Sequence, residues 1–196
     1  MPVSHRISIG AEPAPYDVLI GSGLLYSSGD LMREELGLNS GRVAVVSSGA
    51  VADLYMPSAV QSMIRAGFEV TPVIIPDAEE GKRLAVIKGI YDRLAACGFT
   101  RNDTVVALGG GSISDAAGFA AATYMRGIRL VNIPTTLLSQ ADSSIGGKTA
   151  VNIDAGKNLV GAFHNPSLVI EDEDVLDTLP KRQFASGVAE IIKYAC

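Results

Sequence analysis

A run of three glycines and a serine, Gly109-Gly110-Gly111-Ser112, has a composition and position that indicate chemistry. It follows the apolar run Asp103–Leu108, which is typical of a buried strand, and precedes a helical pattern over Ile113–Met125. Glycines at such a turn let the backbone approach a pyrophosphate, and the free N–H groups of the helix start bind anions. The context predicts a dinucleotide or phosphate site, with a purely structural glycine turn as the alternative.

Acidic side chains lie at two further points near predicted strand ends. Asp115 falls in the first turn of the predicted helix, where it either contacts the nicotinamide or ribose side of a cofactor or only interacts favourably with the helix dipole. The run from Asp77 to Lys82 follows the apolar run Phe68–Ile75, so its acids could accept hydrogen bonds from ribose hydroxyls. A solvated, charged loop that caps the next helix is the alternative for this run.

Alternating strands and helices must position these residues. Strand patterns cover Arg42–Ser47, Phe68–Ile75, Asp103–Leu108, Arg129–Ile133 and Leu168–Ile170, and helix patterns cover Val51–Ala66, Arg83–Ala96 and Ile113–Met125. The alternation predicts a Rossmann-like α/β fold, with a mostly parallel sheet and helices on both faces. Pro72 assigns its strand to the sheet edge or to a bulge. The alternating segments Val3–Ile9 and Tyr16–Ile20 predict an N-terminal β-hairpin.

The periodicity weakens between Pro134 and Pro166, in a stretch rich in Thr, Ser, Gly, Asn and Lys. A polar loop of this length inside a compact α/β domain is usually functional. A new helix pattern begins at Lys181. On that helix Glu190 and Lys193 are three residues apart, so they share one face, as in an ordinary surface ion pair.

The composition limits the classes of protein. The 196 residues are 47% hydrophobic and 19% charged, which is enough apolar material for a real core. A net charge of -5 argues against nucleic acid as the main partner. The two cysteines lack a metal-binding spacing, which favours a reducing, cytoplasmic setting. The sequence predicts neither a signal peptide nor a membrane span.

Four longer segments carry a family resemblance: GGGSISDAAGFAAATYMRGI from position 109, IPTTLLSQADSSIGGKTAVN from 133, GKNLVGAFHNP from 156 and DTLPKRQFASGVAEIIKYA from 177. Together they resemble the nucleotide-binding portion of 3-dehydroquinate synthase, in the sugar-phosphate cyclase superfamily. The resemblance covers nearly the whole chain. It implies an NAD- and metal-dependent conversion, with zinc or cobalt, of 3-deoxy-D-arabino-heptulosonate 7-phosphate to 3-dehydroquinate. Phosphate is lost in this step of the shikimate pathway.

The resemblance also implies roles for individual residues. The implied cofactor contacts are Asp77, Glu80, Lys82, Gly110, Gly111, Ser112, Asp115, Thr135, Thr136, Lys148, Lys157 and Thr178. The implied catalytic and substrate contacts are Arg126, Asp142, Lys148, Lys157, Asn158 and Lys193. Arg126 would reach the phosphate in the neighbouring subunit, which implies a homodimer. Glu190 would be the first metal ligand, with the remaining ligands outside this chain, because neither His5 nor His164 follows it.

The implied roles agree with the chemistry of these side chains. A substrate with a carboxylate and a phosphate needs several cations, of which arginine suits bidentate contact and lysine supplies a point charge. We therefore divide the chain into an NAD-binding α/β domain, residues 1–180, and the first helix of a truncated α-helical metal and substrate domain, residues 181–196. We expect the chain alone to bind NAD weakly without turnover. The alternatives are a related cyclase such as aminodehydroquinate synthase, a metal-dependent glycerol or alcohol dehydrogenase, and a non-catalytic nucleotide-binding module.

Overall fold

The computed structural model describes residues 3–12 and 14–196. The strands are β1 His5–Ile9, β2 Tyr16–Gly21, β3 Gly41–Ser48, β4 Phe68–Ile75, β5 Thr104–Gly109, β6 Arg129–Pro134, β7 Lys148–Ile153, β8 Gly156–Phe163 and β9 Leu168–Asp172. The α-helices are α1 Ser28–Leu36, α2 Gly49–Arg65, α3 Leu84–Ala96, α4 Gly111–Thr123 and α5 Lys181–Ala195.

A seven-stranded sheet in the order β1-β2-β9-β6-β5-β3-β4 organises the molecule. All its neighbouring strands are parallel except β1 and β2, which form the predicted antiparallel hairpin. Strand β4 lies at the edge, as Pro72 predicted, because proline cannot donate a hydrogen bond to a second neighbouring strand. The predicted mostly parallel α/β fold is confirmed.

Two apolar layers cover the sheet, one on each face. Val43 and Val45 of β3 pack with side chains of α1 and α2, whereas Ala44 and Val46 of the same strand pack with α3 and α4. Alternate residues of β3 are therefore buried on opposite faces, as in a strand between two helical layers. Because β3, β5 and β6 pair in parallel, their carboxyl ends lie at the same end of the sheet, and the helix α4 starts there, directly after β5.

The structure differs from the sequence prediction in the polar stretch. Residues of this stretch form a second, two-stranded sheet in which β7 and β8 pair antiparallel. Thr149 and Val151 of β7 are buried, but most residues of β8 are at least partly exposed. A small, mostly polar hairpin therefore carries too weak an apolar alternation to be recognised as strands. The turn Ser139–Ser143 before it is π-helical.

Two smaller differences concern helices. α1 was not predicted, and the predicted helix Ile113–Met125 ends as α4 at Thr123. Met125 and Arg126 have left-handed φ angles of 49° and 65°, which an α-helix cannot contain. No helix in the described part of the chain combines the length and the apolar character needed to cross a membrane.

Candidate active site

The glycine turn between β5 and α4 is closely packed. The N–H of Thr135 donates to the carbonyl of Gly109 over 3.0 Å and so joins the ends of β5 and β6. A Cβ on Gly110 would lie 3.2 Å from Cγ2 of Thr136, and a Cβ on Gly111 would lie 2.8 Å from Oγ of Ser143. Glycine therefore lets the turn pack closely against the side chains of Thr136 and Ser143, and the absence of side chains leaves the first N–H groups of α4 accessible to a ligand.

A cavity of about 610 Å³ opens over this turn, and we call it the cofactor-side cavity. Its lining includes the predicted cofactor contacts Asp77, Gly110, Gly111, Ser112, Thr135, Thr136 and Thr178. An elongated molecule with phosphates fits this lining, because the helix N-terminus supplies N–H donors and the threonines and Asp77 supply oxygens. Glu80 lies outside it, at the surface, where its carboxylate accepts a hydrogen bond from Nη2 of Arg83 over 2.9 Å and forms an ion pair with Nε of the same residue at 2.8 Å.

Several residues of this cavity carry no recognisable signal in the sequence. They include Leu54, Tyr55, Leu138 and Gln183. The hydroxyl of Tyr55 donates to the carbonyl of Val175 over 2.9 Å and also contacts Oγ1 of Thr178. Tyr55 thus fixes the segment that carries Thr178, although the two residues lie far apart in the chain.

A buried lysine binds Asp115, the acid one turn into α4; the sequence prediction that Asp115 lies in the first turn of the helix is wrong, because α4 begins at Gly111. Nζ of Lys82 donates to Oδ2 of Asp115 over 2.6 Å and to Oδ1 of Asn158 over 2.5 Å. Burial raises the pKa of Asp115, although the hydrogen bond and charge of Lys82 act in the opposite direction. The predicted contacts Lys82, Asp115 and Asn158, from three separate segments, therefore form one polar cluster.

A second cavity, of about 740 Å³, lies beside that cluster, and we call it the substrate-side cavity. Among its lining residues are Asp115, Asp142, Lys148 and Asn158, all of which were predicted site residues. Asp115 belongs to the first turns of α4, whose start lines the cofactor-side cavity, so the two cavities are neighbours. Lys157 is not among the lining residues; it is exposed, with Nζ 3.7 Å from Oε2 of Glu79.

Asp142 sits in the π-helical turn and is oriented by the last turn of α5. The hydroxyl of Tyr194 donates to Oδ1 of Asp142 over 2.7 Å, and Tyr194 also lines the substrate-side cavity. The hydrogen bond to the carboxylate raises the pKa of Tyr194, since ionising the phenol would remove the donor. Sequence spacing gave no sign of this contact, which joins residues 52 positions apart.

Glu190 and Lys193 form an ion pair with each other on α5. The hydrogen bond from Lys193 to Glu190 raises the pKa of Lys193. The helix itself is held through Gly187, where a Cβ would come within 2.6 Å of Cβ of Leu137. Among residues 3–12 and 14–196, no group of three or more His, Cys, Asp or Glu side chains is arranged to hold a metal ion. Glu190 thus offers one carboxylate, which by itself does not make a catalytic metal site.

Arg126 lies apart from the residues above. It lines a third cavity, of about 560 Å³, together with Arg101, Arg129 and His164. This cavity shares Ala162 and Phe163 with the substrate-side cavity, but Arg126 itself does not line the latter. Within one chain the structure therefore separates Arg126 from Asp142, Lys148 and Asn158.

Comparison with known proteins adds the family. The profile of the family described as 3-dehydroquinate synthase N-terminal matches residues 72–186. The 3-dehydroquinate synthase of Citrifermentans bemidjiense is 51% identical to the chain over 192 residues, which are 98% of this chain and 52% of that protein. The chain thus spans about half the length of the curated relatives it matches.

Two solved cyclases share the fold. The crystal structure of 2-deoxy-scyllo-inosose synthase complexed with carbaglucose-6-phosphate, NAD+ and Co2+ is similar with a TM-score of 0.88 and 30% identity, over 96% of this chain and 51% of that one. For 2-epi-5-epi-valiolone synthase from Streptomyces hygroscopicus subsp. jinggangensis with NAD+ and Zn2+, the TM-score is 0.82 and the identity 33%, over 96% and 51% of the two chains. Because the family profile matches more than half of the chain, the chain belongs to the 3-dehydroquinate synthase family.

Proposed function

We propose that the protein containing this chain catalyses the NAD- and metal-dependent conversion of 3-deoxy-D-arabino-heptulosonate 7-phosphate to 3-dehydroquinate, with loss of phosphate. The observation that carries this proposal is the position of the Lys82–Asp115–Asn158 cluster between two neighbouring cavities. One cavity suits a dinucleotide. The other offers Lys148 to the negative charge and Asp142 to the hydroxyl groups of a small anionic substrate. The solved relatives with NAD+ and a divalent metal support the same reading.

The cofactor-side cavity would hold NAD. When bound, NAD accepts a hydride from an alcohol carbon and can return it. The N–H groups at the start of α4 would bind its pyrophosphate, and Asp77 would accept from a ribose hydroxyl. Asp115 and Lys82 would contact its nicotinamide end, since Asp115 lines the side of the cluster that faces the substrate-side cavity. Thr135, Thr136 and Thr178 would complete the lining with hydroxyl groups.

The substrate-side cavity would hold the ketoacid phosphate. Lys148 would neutralise part of its negative charge, while Asn158 and Asp142 would bind hydroxyl groups. Lys157 and Lys193 would approach the substrate only by leaving their present partners Glu79 and Glu190. Glu190 would contribute to a metal site whose other ligands are not among the described residues.

Arg126 supports the proposal that the enzyme works as a homodimer. Because Arg126 lines a separate cavity of the same chain, we propose that its guanidinium contacts the phosphate of a substrate bound to a neighbouring subunit. We also propose that the enzyme works in the cytoplasm, which the free thiols of Cys97 and Cys196 support.

A related sugar-phosphate cyclase is the second candidate, favoured by the similarity to 2-deoxy-scyllo-inosose synthase. A phosphate-release assay on the protein that contains this chain, supplied with 3-deoxy-D-arabino-heptulosonate 7-phosphate, tests the choice. We expect phosphate release without accumulation of NADH, since the proposed reaction returns the hydride. Release from a different sugar phosphate only would indicate the second candidate. Net NADH from glycerol or a simple alcohol would contradict both and indicate a dehydrogenase.

The cofactor assignment is tested on the 196-residue chain by titration with NAD. We expect Gly111→Ala to weaken binding by about tenfold or more, because the added methyl group crowds the turn that would approach the pyrophosphate. Gly89→Ala is the matched control, since a Cβ there meets nothing within 4 Å. Equal affinities of the two variants would contradict the assignment. Without the rest of the metal site, the chain should bind NAD but release no phosphate.

A further inference from the structure

Asn152, at the end of β7, has a role that neither the glycine turn nor the cavity linings account for. Its Nδ2 donates to Oε2 of Glu79 over 2.5 Å, while its Oδ1 accepts from the backbone N–H of Asn158 over 3.1 Å. A carboxamide can donate to a carboxylate through its NH2 group and accept from an amide through its oxygen at the same time. An aspartate could accept from Asn158 but could not donate to ionised Glu79.

The bond to Asn158 acts on a strained residue. Asn158 has a left-handed φ of 56°, which an L-residue other than glycine adopts at a cost unless local hydrogen bonds favour it. In this conformation its Oδ1 accepts from Nζ of Lys82 over 2.5 Å. Lys82 in turn holds Asp115, so the side chain of Asn152 acts on the ion pair through Asn158.

These hydrogen bonds connect two separate segments of the chain. Glu79 and Lys82 both belong to the 3-10 turn Ala78–Lys82, whereas Asn152 and Asn158 flank the tip of the β7–β8 hairpin. An isolated backbone bridge between Arg83 and Asn152 adds to the same contact. The turn leads away from Asp77 in the cofactor-side cavity, and the hairpin carries Lys148 and Asn158 in the substrate-side cavity.

We propose that Asn152 is a positioning residue, whose side chain locks the hairpin tip onto the Glu79 turn and thereby presents Asn158 to Lys82 and to the substrate-side cavity. The contact of Asn158 with substrate rests on the proposed function; the lock itself rests only on the hydrogen bonds above. Asn152 acts through Asn158 and Lys82 and does not itself line either cavity.

Hydrogen exchange of the Asn158 backbone amide measures how firmly its hydrogen bond to Asn152 is held, in the 196-residue chain without any ligand. We expect Asn152→Ala and Asn152→Asp each to lower its protection by about tenfold. The aspartate keeps the acceptor for Asn158 but sets a carboxylate against Glu79. The double variant Glu79→Gln with Asn152→Asp should restore protection, because the new amide donates to the new carboxylate with the polarity reversed. Asp154 is exposed and lies between β7 and β8, so Asp154→Asn makes a carboxylate-to-amide change at the hairpin tip and should leave the protection of the Asn158 amide unchanged.

The pH dependence of Asn158 amide protection distinguishes a positioning role of Asn152 from a general effect on the folding of the hairpin tip. The defect of Asn152→Asp should shrink below about pH 5, where one of two adjacent carboxyl groups takes up a proton and can donate again. The defect of Asn152→Ala should not change. Wild-type protection in Asn152→Asp at neutral pH, or a double variant no better than Asn152→Asp, would overturn the proposal. NAD titration of the same wild-type chain reports on the proposed function, so the two can fail separately.

Discussion

The cofactor side and the substrate side of the site are built in different ways. On the cofactor side, the residues follow strands such as β5, all of whose residues are buried, and glycines leave no room for a Cβ. On the substrate side, Lys148, Lys157 and Lys193 are exposed, and β8 is mostly exposed. Hydrogen bonds between distant segments, such as Tyr194 to Asp142, bring the polar groups together.

This difference in packing determines how strongly a substitution on each side affects the stability of the domain. Close packing in the core fixes the cofactor side, so a change there alters the stability of the whole domain. Few apolar contacts hold the substrate side, so its charges can change with little effect on folding. Substitutions at buried and exposed positions of the two sides should therefore differ in the free energy of unfolding.

The largest effect is expected for Asp172→Ala, at the end of β9. Asp172 is buried and accepts backbone N–H groups of Gly23, Leu25 and Asp174 over 2.9, 2.8 and 3.0 Å. It thus anchors the 3-10 segment Glu173–Thr178, which brings Thr178 to the cofactor-side cavity. Its loss leaves buried donors unpaired and should cost about 3–5 kcal/mol in urea unfolding. The exposed neighbour Glu173→Ala is the control, expected within about 0.5 kcal/mol of wild type.

A pH-dependent effect is expected at the preceding residue. Glu171 is buried, Oε1 lacks a hydrogen-bond partner among the described residues, and burial raises its pKa from 4.5 to about 7. The folded state therefore holds the proton more tightly than the unfolded state. Stability from this group is complete below about pH 4.5 and is lost as the pH rises through about 7.

Glu171→Gln should remove this loss. At pH 8 the variant should be more stable than wild type by up to about 3 kcal/mol, because the folded wild type must then ionise a carboxyl group whose pKa burial has raised to about 7. Near pH 4.5 the two should be equally stable. Urea unfolding at both pH values measures this difference, and a stability gain of the same size at both would show that packing, not ionisation, is responsible.

The central parallel strands were predictable from sequence because they are buried, valine-rich runs. Strands β3 and β5 and the glycine turn between β5 and α4 were all recognised, whereas α1 was not. The β7–β8 hairpin was not, because it packs only one side against α4. There Gly118 makes room for Thr149, and a Cβ on Gly118 would lie 2.5 Å from Cγ2 of that residue. A contact of this kind leaves no periodic pattern in the sequence.

The motifs named some of the residues that the structure brings together, but they did not give the geometry. The motifs named Asp142, Lys148 and Asn158, which line one cavity. Spacing could not show that Lys82 joins Asp115 and Asn158, or that Tyr194 orients Asp142, because these pairs depend on how separate elements pack. It also could not show that Arg126 lies in another cavity of the same chain.

The smallest effect on folding is expected for Lys148→Met, on the substrate side. Its side chain is exposed, so removing its charge should change the free energy of unfolding by less than about 0.5 kcal/mol. Lys82→Met makes the same chemical change on the buried side of the cluster, where it leaves Asp115 without its cation, and should cost about 3 kcal/mol. In contrast, Lys148→Met should weaken binding of the ketoacid phosphate by about 10- to 100-fold, as expected for a lost charge-assisted hydrogen bond. Calorimetric titration measures the binding of the ketoacid phosphate, and urea unfolding measures the stability of both variants. Similar destabilisation by Lys148→Met and Lys82→Met would mean that the substrate side belongs to the folded core as much as the cofactor side does.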